Sequence, residues 1–271
     1  MRAFRSEWTK FLRPGQLLGS WGTMAGFGVL LALLLLSNAK DVPAVQQQAG
    51  GGPPAVPLSL FAGHDGGAFA FQATGQLLGI IALVVAAANV ATEYTSGTFK
   101  VLLVHEPRRT LLFSGKLLAL WAFILSGIVL TLLLSVGASA AVAAARGLDT
   151  GPWWSADGLA DLGKALCNVT AAAFVWALMG AMLAVLFRSG FPAIGIGIAY
   201  PLVVEGLLGL VLPDVVKYMP GAVLGKLAAG SAAALSQQPT IGYGTAAVLA
   251  VAYAVVFAAV AFLVLERRDV T

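Results

Sequence analysis

Apolar runs long enough to cross a bilayer as a helix, about 20 residues, recur six times along the chain. They cover about 17–37, 71–92, 111–145, 165–187, 191–212 and 245–265. A further stretch, 221–236, is apolar but short, carries Lys226 in its middle and follows Pro213, Asp214, Lys217 and Pro220. It reads as short broken helices that lie in, or dip back into, one membrane interface. Such backbone is tolerated at that depth only under the cover of other protein. The pattern predicts an all-α integral membrane protein with six transmembrane helices and short broken helices before the last span.

The segment 1–14 has another periodicity. Phe4, Trp8, Phe11 and Leu12 fall at i, i+4, i+7 and i+8, one face of a helix, with Arg2, Arg5, Lys10 and Arg13 on the remainder. Basic residues opposite large aromatics are the pattern of an amphipathic helix lying in the membrane plane. Pro14-Gly15 then lets the chain turn into the first span. The alternative is a basic tail that only sets topology.

Composition agrees with this reading. Of 271 residues, 59% are hydrophobic and 10% charged, and the mean hydropathy is +0.89. Soluble domains carry about 25% charged residues, so a water-soluble enzyme is excluded, as is a disordered chain. The single cysteine, Cys167, rules out an internal disulfide and a cysteine-built metal site. The net charge of +4 is better read by location than as a nucleic-acid signal. Arg2, Arg5, Lys10, Arg13, Lys100, Arg108, Arg109, Lys116, Arg188, Arg267 and Arg268 fall on one side of the spans. Only Lys40, Arg146, Lys164, Lys217 and Lys226 fall on the other. The positive-inside rule then places both termini in the cytoplasm, as in a multi-pass protein of a plasma (inner) membrane. Cleavage after Ser37-Asn38-Ala39 is the rival, but the preceding apolar run is longer than a signal h-region of about 7–15 residues. The loop 38–70, with its Gln, Gly and Pro runs, reads as a flexible linker. No loop can hold a soluble domain, so uphill transport would draw its energy from a partner chain or an ion gradient.

The loop 93–110 is the most informative. Glu93 and Tyr94 sit just beyond the membrane end of the second span, Ser96-Gly97-Thr98 supplies a break and a helix-capping hydroxyl, and Phe99–Val104 is an apolar run too short to span. A short helix at the membrane surface follows, either resting on its own bundle or docking a cytoplasmic partner. Glu93-Tyr94-x-x-Gly97-Thr98, followed by Pro107-Arg108-Arg109, resembles the permease subunits of type-2 ATP-binding-cassette (ABC) exporters. The opening Arg5-Ser6-Glu7-Trp8-Thr9-Lys10-Phe11 is similar to the start of many such permeases from high-GC Gram-positive bacteria. The resemblance implies a permease that dimerises with an identical or different second permease above two cytoplasmic ABC ATPase subunits. Glu93, Tyr94, Ser96, Gly97, Thr98, Phe99 and Lys100 would be its ATPase-coupling segment, flanked by the helix of Phe4, Trp8, Phe11 and Leu12. The chain has no Gly-x-x-x-x-Gly-Lys-Ser/Thr phosphate loop. ATP and Mg would therefore bind the partner ATPase, with no cofactor on this chain, no catalytic residue and no nucleic acid.

Within the spans, Glu205 is the one clear carboxylate. It reads either as a contact at the outer mouth or as a group that snorkels or pairs with Lys217 or Lys226. Thr131, Ser135 and Ser139, with Gly127 before them, recur every fourth residue, and Asn89 lies low in the second span. Helix packing is their favoured role, and lining a translocation path the alternative. Gly15/Gly19, Gly22/Gly26 and Gly75/Gly79 mark close-packing faces within or between subunits. His64 and His105 are too far apart in this topology to share a metal, and Pro107 breaks the His105-Glu106 start of a zinc-protease motif. The expected function is the permease subunit of an ATP-driven exporter in contact with membrane lipid. The rivals are an ion-coupled carrier or channel working without an ATPase, or a non-transporting scaffold.

Overall fold

A computed structural model describes Trp8, Phe11 and residues 13–40, 56–96, 109–235 and 241–267. The described residues form helices and no strand, apart from an isolated bridge between Lys40 and Pro57. Six helical stretches are long and apolar enough to cross a membrane: Pro14–Ser37, Gly75–Thr95, Phe113–Ala145, Ala156–Phe187, Gly190–Val211 and Tyr243–Arg267. The chain is an all-α, multi-pass membrane protein.

The first span is α1 (Pro14–Ser37), opened by proline at a position where its fixed φ suits a helix. After it come α2 (Ser59–Ala62), α3 (Gly66–Ala73) and the second span α4 (Gly75–Thr95). The third and fourth spans are α5 (Arg109–Ala145) and α6 (Ala156–Phe187), with a 3-10 turn at Gly151–Trp154 between them. Ser155 caps α6 by accepting the Gly158 N–H at 3.2 Å. The fifth span is broken into α7 (Gly190–Ala199), a π-turn at Tyr200–Val204 and α8 (Glu205–Val211). Pro201, which has no N–H for the regular ladder, accounts for the break. Short α9 (Pro213–Val216), α10 (Pro220–Ala229) and a 3-10 stretch (Gly230–Leu235) precede the last span, α11 (Tyr243–Arg267). We call the end bearing Pro14, Thr95, Arg109 and Phe187 proximal, and the end bearing Ser37, Gly75, Ala145 and Tyr243 distal.

Two helix pairs dominate the packing. The first is α1 on α5, where a Cβ on Gly28 would lie 2.5 Å from Thr131 Cγ2. Trp21 stacks on Phe123 and donates to its carbonyl at 3.2 Å. At the distal end the Arg146 guanidinium donates to the carbonyls of Leu36 and Ala39, tying the end of α1 to the end of α5. The second pair is α4 on α6. A Cβ on Gly79 would strike the Trp176 indole, and one on Gly180 would strike the Leu83 carbonyl oxygen. These glycines let the two backbones approach as apolar packing in lipid requires. The core pillar is α6, 78% buried along its apolar stretch against 11% for the fifth span. The fifth span therefore turns most of its surface outward.

Several boundaries differ from the sequence reading. The second span begins at Gly75 rather than 71, because α3 stops at Thr74, whose hydroxyl turns back onto the Phe71 carbonyl at 2.5 Å. It also runs through Thr95, so Glu93 and Tyr94 are helical rather than beyond the helix. The fourth helix starts nine residues earlier than 165, since Asp157, Asp161 and Lys164 ride on an extension beyond its apolar stretch. The expectation of a flexible linker over 38–70 fails for 56–70. Phe61 and Phe69 are buried there, and Trp153 donates its indole N–H to the Phe61 carbonyl at 2.9 Å.

Candidate functional site

At the proximal end, α4 delivers Glu93 and α5 delivers Lys116 to one buried point. Their charged atoms lie 2.6 Å apart, with side chains 6% and 3% exposed. The pair ties α4 to α5, the two helices on either side of residues 97–108. Glu93 is therefore buried within the bundle near the end of α4. Tyr94 is half-buried against the core. Ser96 is exposed and closes α4 through its N–H to the Thr92 carbonyl at 2.9 Å. Gly97, Thr98, Phe99 and Lys100 lie outside the described residues, as do Phe4 and Leu12. Phe11 is fully buried, stacked on Phe123 at 4.7 Å, with Trp8 half-buried against the same core. These two aromatics dock on α5 and the bundle.

The polar stripe on α5 is buried. Thr131, Ser135 and Ser139 are fully buried. The Thr131 hydroxyl bonds back to Gly127 at 2.8 Å and that of Ser135 to Leu132 at 3.1 Å, while Gly28 of α1 covers the face. Among the described residues, the buried side-chain oxygen of Asn89 has no hydrogen-bond partner.

At the distal end, Glu205 is buried and pairs with neither Lys217 nor Lys226. Its two oxygens accept the backbone N–H groups of Gly221 at 2.8 Å and Ala222 at 3.0 Å. A carboxylate there satisfies orphan donors and complements the positive end of α10. A Cβ on Gly221 would press on that carboxylate, so a larger residue here would have to shift it. At the other end of α10, Gly230 has φ 46°, a backbone that favours glycine. Gln72 of α3 receives the Ser231 N–H at 3.0 Å and its hydroxyl at 2.6 Å. The segment expected to dip into the interface is thus gripped at both ends and sits between α6, α11 and α4. Outside it, Lys217 bonds to Asp214 at 2.8 Å and holds its carboxyl below the usual carboxylate range.

A family profile described as a protein of unknown function, DUF2705, matches residues 30–271. The chain belongs to the DUF2705 family. No curated protein matches the chain. The DUF2705 match covers Glu93, Lys116, Glu205 and all of α10, and leaves out Trp8 and Phe11.

Sequence reasoning missed two partnerships of this DUF2705 chain. Lys116 entered it only as a charge that sets topology, although a cation so near an apolar span needs an acid, and Glu93 was the acid to hand. The Gln72–Ser231 link joins residues 159 positions apart and leaves no periodic signal. Cys167 is exposed. Asn168 beside it accepts the Tyr243 hydroxyl at 2.7 Å.

Proposed function

We propose that this chain is the permease subunit of an ATP-driven exporter of the type-2 ABC class, with its proximal end and both termini in the cytoplasm of a bacterial cell. The Glu93–Lys116 strut is the observation that carries this reading. It makes the two stems of the loop 97–108 one mechanical unit beside the point where a cytoplasmic ATPase would press. The aromatics Trp8 and Phe11 sit on the same α5 stem, in keeping with an N-terminal helix flanking that contact. The absence of a phosphate loop assigns ATP and Mg to the ATPase.

A second permease copy, identical or different, would pack on α1. Its Gly15, Gly19, Gly22 and Gly26 present open space where a Cβ would stand, a smooth face of the kind that lets helices approach closely in lipid.

Placing a photo-crosslinking amino acid at position 99 and irradiating intact cells tests the reading. The expected adduct is to a polypeptide carrying a phosphate loop. A chain that moves its substrate in ATP-free vesicles, with no adduct from position 99, would refute it and favour an ion-coupled carrier.

A further inference from the structure

The geometry points to a binding site for a phosphate-class anion in the distal cavity between the fifth span and α10, with Lys226 and Lys217 as its cationic contacts. This does not rest on the ATP-driven reading and holds whatever energises the protein.

The cavity is about 240 Å³ and is lined by Gln76, Pro201, Glu205, Val216, Lys217 and Lys226, among others. A larger opening of about 700 Å³, near His64 and Asn168, shares Lys226 with it, so this lysine stands at the junction of the two. Lys226 makes no hydrogen bond or ion pair among the described residues. An ammonium held at the edge of a membrane bundle calls for a counter-charge, and no carboxylate among the described residues lies within 4 Å of it. Glu205, the one carboxylate lining the smaller cavity, gives both oxygens to the N-terminus of α10. On the larger opening, Asp161 is taken by Lys164 at 2.8 Å and by His64 at 2.5 Å, and Asp65 lies beyond 4 Å of any cation among the described residues.

One further group favours an anion. Lys217 spends one donor on Asp214, which is 85% exposed on the outer flank, and an ammonium has three. Two ammonium groups, facing a carboxylate whose oxygens are already held by backbone N–H groups, fit the oxygens of a phosphate. The volume is below that of a drug-sized pocket, about 300–1,000 Å³, so it takes a headgroup and not a whole lipid. Pro201, Val216 and Ile241 form an apolar wall beside it. The anion is therefore either the phosphate of an anionic lipid or a free phosphate.

The test uses the full chain in detergent, with Lys226→Gln, Lys226→Arg and, as a charge control, the exposed Lys40→Gln. One arm measures by native mass spectrometry the retention of phosphatidylglycerol against phosphatidylcholine. The other measures the thermal shift given by inorganic phosphate against chloride at equal ionic strength. Loss of one ionic contact of about 1.4 kcal/mol corresponds to about tenfold. We expect Lys226→Gln to lose about tenfold in phosphatidylglycerol retention, Lys226→Arg to keep it and Lys40→Gln to match the wild type. A shift with phosphate alone, lost in Lys226→Gln, assigns the site to the free anion. The inference is overturned if neither ligand distinguishes the wild type from Lys226→Gln, or if Lys40→Gln loses as much.

Discussion

Replacing Lys116 with Met leaves the Glu93 carboxylate buried without its ammonium. At 2.6 Å and an effective dielectric of about 20, the attraction within the pair is about 6 kcal/mol. Desolvating both ions removes most of that, so the intact pair contributes little net stability. Breaking it from one side is different: the stranded charge costs about 3–5 kcal/mol. We therefore expect Lys116→Met to destabilise the detergent-solubilised protein by that amount. Glu93→Gln leaves the buried Lys116 ammonium unmatched and should cost about as much, eased only by the hydrogen bond it can still give the amide oxygen. The double variant Lys116→Met/Glu93→Leu should return to within about 1 kcal/mol of the wild type, since matched apolar groups substitute well for a buried pair. Thermal or SDS unfolding of the four proteins gives the double-mutant cycle. A coupling energy below about 0.5 kcal/mol would refute the assignment of these residues as a strut.

Three further outcomes are expected. Gly180→Ala drives a methyl into the Leu83 carbonyl and should cost about 1–3 kcal/mol as overpacking, whereas Gly163→Ala, which meets open space on a helix, should hold or raise the unfolding midpoint. Glu205→Ala removes the acceptor for Gly221 and Ala222. A loss of about 1–2 kcal/mol and faster exchange of those two amides are expected, and unchanged exchange would remove its capping role. Gly22→Leu fills the open face of α1, so it should leave the unfolding midpoint unchanged and abolish any dimer seen by crosslinking. A dimer that persists would place the second copy elsewhere.

The six spans were legible because each must present about 20 apolar residues to lipid, and Pro14, Pro213 and Pro220 marked the breaks around them. The interior of the spans was harder to read. Pro201 lies inside an apolar run that continues across it, and the π-turn there is a matter of hydrogen bonding that hydropathy does not record. Asp157, Asp161 and Lys164 ended the apolar run before the helix itself ended. At the candidate site, Glu93 was picked out by its motif, but its burial depends on Lys116, which lies across a loop. Glu205 stood out as an isolated acid, and its partners proved to be backbone N–H groups. Those exist as free donors only because Pro220 starts a helix there, and a reading that paired charges with charges had no means of finding them.

The pairing of α1 with α5 and of α4 with α6 has a consequence for how the protein is made. The pairs interleave along the chain, since α4 emerges before α5, and α5 before α6. During synthesis, α1 waits in the bilayer until α5 arrives to seat on Gly28. For the same reason α4 stands with its Gly79 notch empty until the Trp176 indole is inserted. A nascent chain released after α5 would hold one finished half and one orphaned helix, a natural substrate for membrane quality control.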